Sequence, residues 1–112
     1  MSGYRREMYV ATAVEGVTLE GYVDLVYRLP AGGLVVVDYK TDAWRDAADL
    51  DDKLARYRLQ GASYALALEA ATGEPVHRCV FLFLGAGGAD TREVSDLPRA
   101  LEEVRALLAA SA

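Results

Sequence analysis

A single cysteine, Cys79, stands in 112 residues. That scarcity rules out a structural disulfide framework and fits a reducing cytosol. Cys79 lies in an apolar stretch, Val76 to Leu84, and reads as a buried, inert thiol. No apolar run reaches the roughly 18 residues of a membrane helix, and no signal-peptide pattern is visible; a cytoplasmic protein without a membrane partner is expected. Positive charge is also short. Lys and Arg number 12 against 17 Asp and Glu, giving a net charge of −5 and a pI near 4.8. A simple electrostatic nucleic-acid binder would carry a basic face, so that class is disfavoured. Nucleic-acid chemistry that runs on bound divalent cations is not excluded, because such ions offset local acidity. There is no internal repeat and no linker.

Apolar residues are plentiful, at 53%, and the length suits one domain rather than two. Residues 1–112 are therefore read as one unit. Met1-Ser2-Gly3-Tyr4-Arg5-Arg6 enters a strand-like segment almost at once, which fits a piece of something larger. Glu7 to Val14 alternates loosely up to a turn at Glu15-Gly16. Val17 to Leu29 reads as a second strand, Pro30-Ala31-Gly32-Gly33 as its turn, and Leu34 to Tyr39 as a third strand, together an antiparallel meander. From Asp49 to Ala71 the period changes, with Leu54, Tyr57, Gly61, Tyr64, Ala65 and Leu68 near helical spacing. Gly73 and Pro75 stop that helix. Val76 to Leu84 predicts a strand in the middle of the sheet. Gly85 to Ala89 reads as a flexible loop, Thr91 to Val94 as a short edge strand, and Pro98 to Ala109 as a final helix capped by Asp96 or Ser95. The order is β-β-β-α-β-(β)-α, an α/β domain with a mixed sheet.

Val35-Val36-Val37-Asp38-Tyr39-Lys40 is the segment where this pattern carries chemistry. Three β-branched residues run into an acid, an aromatic and a lysine. A strand buried on both faces should not end in charge without a reason, since an unpaired buried charge is costly. Asp38 and Lys40, two apart, share one strand face, and Tyr39 is expected to point the other way, towards the core. A second acid, Asp24, interrupts the apolar run Gly21 to Tyr27; Gly21 would allow a close approach within that strand. Two carboxylates with a backbone carbonyl nearby suit Mg²⁺ or Mn²⁺, and an adjacent lysine can orient water and stabilise charge on a phosphate. An Asp–Lys pair closing a strand at the surface explains the same spacing. Gln60 and Tyr64 lie one turn apart on one helix face. They could donate hydrogen bonds to nucleic acid, or simply form a half-buried face.

Gly21-x-x-Asp24, Asp38-x-Lys40 and Gln60-x-x-x-Tyr64, in that order and spacing, resemble the nuclease domain of the RecB/AddA/AddB group of the PD-(D/E)XK superfamily. The resemblance spans Glu7 to Leu84 and implies a restriction-endonuclease-like core. It implies that Asp24 and Asp38 bind the metal with the Tyr39 carbonyl, that Lys40 is catalytic, and that Gln60 and Tyr64 bind DNA and position the site. Glu7 falls where such domains often carry a Glu; a plain surface role fits it equally.

The resemblance also implies a DNA partner and a helicase part in the same parent chain, of which this would be the C-terminal portion. A second subunit is a further implied partner. Two departures stand out. The family's N-terminal helical region, with a histidine that joins the metal, is missing here, and His77 sits after the helix, where a structural or solvent-facing role is expected. The cysteines that hold an iron–sulfur cluster in some members are absent, so no cluster is expected. No Walker-type lysine loop is present. Trp44 is expected to cover the core rather than stack on a base, and Lys53, Arg56 and Arg58 to form a solvated face that could touch phosphate. The implied activity is metal-dependent DNA cleavage, exonucleolytic, in double-strand break repair. A nuclease-fold domain that binds DNA or a partner without cutting, or an unrelated interaction domain, would account for parts of the same pattern.

Overall fold

The computed structural model describes residues 4–41, 43–85 and 88–111, with side chains described from Glu7 onward. Among the described residues, five strands and two helices follow in the order β1 (Tyr4–Val14), β2 (Val17–Arg28), β3 (Leu34–Lys40), α1 (Ala47–Thr72), β4 (Val76–Gly85), β5 (Gly88–Glu93) and α2 (Leu97–Ser111). They form one five-stranded sheet in the order β1-β2-β3-β4-β5. The first three strands are the expected antiparallel meander. β3 and β4 then run parallel, which requires a crossover, and α1 supplies it. β5 returns antiparallel to β4. The mixed sheet with packed helices is the restriction-endonuclease-like α/β architecture that the motifs imply.

Some boundaries differ from the sequence expectation. α1 begins at Ala47, two residues before Asp49, because Asp46 is its N-cap: the Asp49 amide donates to Asp46 Oδ1 at 2.9 Å and the Arg45 amide donates to Asp49 Oδ2 at 3.0 Å. This reciprocal pairing satisfies two amides near the helix start. The far end is as expected, with Gly73 as the left-handed cap at φ 74°. β5 begins at Gly88 rather than Thr91, so Gly88 and Ala89 pair with β4 instead of looping; Ala86 and Gly87 lie outside the described residues. β4 is an interior strand paired on both sides, as its apolar run implies.

Both helices cover one face of the sheet and share one core. Val36, Cys79, Phe81 and Phe83 form its floor, and Ala62, Ala65 and Leu66 of α1 press onto them, flanked by Leu97, Ala100, Leu101 and Val104 of α2. Small residues on α1 let helix and sheet approach closely. A Cβ at Gly61 would lie 2.7 Å from Cys79 Sγ and 2.9 Å from Phe81 Cζ. Cys79 is a buried free thiol, its pKa pushed up to about 12 by burial and then by the nearby charge of Asp38. No helix among the described residues is long and apolar enough to cross a membrane.

The opposite face of the sheet is more open. Tyr9, Tyr22 and Tyr39 are exposed there, with Tyr9 and Tyr22 in ring contact at 5.1 Å. The expectation that Tyr39 points to the core is therefore corrected. The core lies on the face shared by Val36 and Asp38, and the period of two sends Tyr39 outwards.

Candidate active site

The site forms where β2 and β3 stop pairing. Their ladder ends at Leu25–Val37, and the Asp24 carboxylate takes over the next donor, accepting from the Tyr39 amide at 2.8 Å. One register step past the last pair brings Asp24 opposite Asp38. The alternation of β2 slips at this point, with Val23 and Val26 both buried although three residues apart. Across β1 the facing position is Glu7, whose φ is 50°, an uncommon left-handed value for a non-glycine residue. Glu7 itself is exposed.

Asp38 and Lys40 share the helix-facing side of β3, as their spacing requires. Asp38 is only 6% exposed, and Lys40 Nζ lies 3.1 Å from its Oδ2. Even so, Oδ2 accepts no hydrogen bond of acceptable geometry among the described residues. The contact is one of charge rather than a directed bond. Burial, and next the Asp24 carboxyl, raise the Asp38 pKa to about 6, while Lys40 pulls the other way. Two acids held together with one poorly satisfied, buried oxygen make a seat for positive charge.

Lys40 is held from several sides. Its ammonium donates to Gln60 Oε1 at 2.9 Å and lies 4.3 Å from the centre of the Tyr57 ring. The structure thus brings Gln60 to the lysine. Tyr64, one turn on, is half-buried, and its hydroxyl pKa is raised by burial and then by the charge on Asp38, which places it within the field of the acid pair. A Cβ on Gly21 would meet Tyr64 Cε1 at 3.0 Å. The glycine in Gly21-x-x-Asp24 therefore makes room for the tyrosine of the third motif, so the approach it allows is that of a ring.

The remaining candidates separate. Arg58 is ion-paired to Glu103 at 2.7 Å and ties α1 to α2, so it is not a free phosphate contact. Lys53, Arg56 and Arg45 share the field of Asp49, whose pKa is lowered first by the Arg45 amide. Trp44 packs edge-on against Phe83 with ring centres 6.5 Å apart, covering the core as expected. His77 is exposed beside Gly33. Tyr57 is the member of the site that the motifs passed over. Its place three residues before Gln60 on one helix face was the available signal.

The donor set fits a hard divalent cation. Asp24 and Asp38 offer carboxylate oxygens, and Tyr39 a backbone carbonyl. Among the described residues no group of three or more His, Cys, Asp or Glu comes together.

The comparisons with known proteins agree with this fold. The sequence model of the PD-(D/E)XK nuclease superfamily matches residues 2–112. An ATP-dependent helicase/nuclease subunit of Acetivibrio thermocellus is 39% identical over 70 residues, which are 62% of this chain and 5% of that protein. Among solved structures, that of SSO0001 superposes with a TM-score of 0.58 at 16% identity, over 93% of this chain and 50% of the other. A putative exonuclease from Eubacterium rectale gives a TM-score of 0.53 at 20% identity, over 98% of this chain and 42% of the other. The chain thus spans half or less of the length of these relatives. It carries the fold, the motif order and the acid–lysine cluster together, and it belongs to the PD-(D/E)XK nuclease superfamily.

Proposed function

We propose that this domain hydrolyses phosphodiester bonds in DNA as the nuclease module of a larger RecB/AddA-like helicase–nuclease. It would form the C-terminal part of that chain and serve as an exonuclease in double-strand break repair and recombination in the cytoplasm. Its partners would be DNA, the helicase part of the parent chain and a second subunit. The observation that carries the proposal is the buried Asp38 Oδ2, which accepts no directed hydrogen bond among the described residues and has the Lys40 ammonium at 3.1 Å and the Asp24 carboxyl close enough to raise its pKa.

In this reading Asp24, Asp38 and the Tyr39 carbonyl hold Mg²⁺ or Mn²⁺. The chemistry supplied by such an ion is Lewis acidity at the phosphate and a more reactive water. Lys40 orients the attacking water and offsets charge that develops on the phosphate oxygens. Gln60 keeps the lysine forward through its 2.9 Å contact, and Tyr64 helps align the strand. The test is Mg²⁺-dependent degradation of single-stranded DNA by the full-length parent. Asp38→Ala and Lys40→Ala should each lower the rate by about 10²–10³-fold, the scale of losing one preorganised charged group. Undiminished activity in both overturns the proposal.

A non-cleaving role in binding DNA or a partner is the second reading. The net charge of −5 and, among the described residues, the lack of a group of three or more metal-ligating side chains favour it. Calorimetric titration with Mg²⁺ separates the two. Binding too weak to saturate at millimolar ion, together with no cleavage by the parent, supports the second reading.

A further inference from the structure

We infer that Tyr57 is a positioning residue for Lys40, its ring forming the wall against which the ammonium is held. The inference rests on reading Lys40 as the catalytic lysine. A lysine ends in a mobile four-carbon arm with a freely rotating ammonium, so its placement requires contacts from more than one side. Here Asp38 Oδ2 lies 3.1 Å from Nζ and Gln60 Oε1 2.9 Å from it. Both contacts are polar, and both belong to groups that a substrate or cation would also engage.

The ring of Tyr57 differs in kind. Its centre lies 4.3 Å from Nζ, well inside the range of a cation–π attraction. The ring face meets the ammonium without using a carboxylate or amide oxygen. The Lys40 side chain is only 15% exposed, so little water screens the contact.

The wall is itself well anchored. Tyr57 leans on Phe81 with ring centres 5.8 Å apart and planes at 35°, and Phe81 is fully buried in the core. Phe81 lies 5.8 Å from the ammonium as a second, more distant ring. Tyr57 also precedes Gln60 by three residues on α1, so one helix face presents the ring and the amide together. The core floor is thereby linked to the lysine through two aromatic rings. A loss of the Tyr57 ring would free the ammonium to swing while leaving both carboxylates in place.

Two measurements test this. The chain has only two lysines, Lys40 and Lys53, so lysine labelled at ¹³Cε gives two side-chain signals, and Lys40→Arg assigns them. A ring at this distance should move the Lys40 Hε protons upfield of those of Lys53. Tyr57→Leu should abolish most of that displacement and Tyr57→Phe should keep it. In the full-length parent, Tyr57→Leu should lower kcat about 10-fold with KM for DNA changed less than about 2-fold, and Tyr57→Phe should restore kcat to within about 3-fold of the unmodified enzyme. A Lys40 signal without upfield displacement in the unmodified protein overturns the inference, even if Tyr57→Leu fails to fold. Equal loss of kcat in the Phe and Leu variants overturns it as well. Full activity in Lys40→Ala would instead sink the nuclease reading, and the ring–ammonium contact would still be read by the spectrum.

Discussion

Val36 and Asp38 lie two residues apart on β3 and face the same side of the sheet, yet they do opposite things to the fold. Val36 is fully buried in the apolar floor between α1 and the sheet. Asp38 is nearly as buried, but it has the Asp24 carboxyl beside it and an oxygen that accepts no directed hydrogen bond among the described residues. The floor gains stability from close packing. The mouth, one residue pair further along, gives some of it up to keep two acids together. The domain thus stabilises its charged candidate site with packing located elsewhere, a common arrangement at functional sites.

The contrast can be broken in order of expected effect. Phe83→Ala, in the floor, should lower the unfolding free energy by about 3–5 kcal/mol through lost burial and a cavity, measured by chemical denaturation. A loss under about 1 kcal/mol would mean that the floor is not what holds the domain.

Asp38→Asn should act in the opposite direction. The Asp38 pKa is raised from 3.8 to about 6 in the folded state, so the folded protein holds this proton more tightly than the unfolded chain. Stability from this group is therefore present at low pH and is lost as pH rises from about 4 to about 6, by about 2–3 kcal/mol at most. At pH 8 without divalent ions, Asp38→Asn should be about 2 kcal/mol more stable than the unmodified domain, and flat across that pH window. Added Mg²⁺ should narrow the gap by stabilising only the unmodified protein. A parallel pH profile in the two proteins would sink the claim that Asp38 is strained.

The smallest effect is expected at the surface. Arg28 pairs with Glu74 between the end of β2 and the turn after α1, where solvent screens the pair. Arg28→Ala should leave the melting temperature unchanged within error, and salt should erase any residual difference. A large loss there would blur the distinction between packed floor and charged rim.

Much of the site was legible because its residues follow strict local periods. The two-residue spacing put Asp38 and Lys40 on one face, and the four-residue spacing put Gln60 and Tyr64 on one helix side. The meander and the end of α1 at Gly73 were legible for the same reason, since turn residues are local signals. The face of Tyr39 was not, because a run of apolar residues does not say which side of a strand the helices will cover. Tyr57 read only as a core spacing, since its contact with Lys40 joins a helix and a strand 17 positions apart. The slip in β2 at Asp24, with the left-handed backbone of Glu7 opposite, leaves no mark in either segment alone.

By itself the sequence determined the elements, their order and the residue types able to hold a cation and move a proton, because these depend on local propensity and periodicity. Only the tertiary structure decided that the Gly21 strand makes room for the Tyr64 ring, that Gln60 and Tyr57 seat the lysine, and that Asp38 is buried against Asp24. Those facts depend on distances between segments, and such distances are set when α1 closes onto the sheet at Gly61, where helix and strand come within contact of each other's atoms.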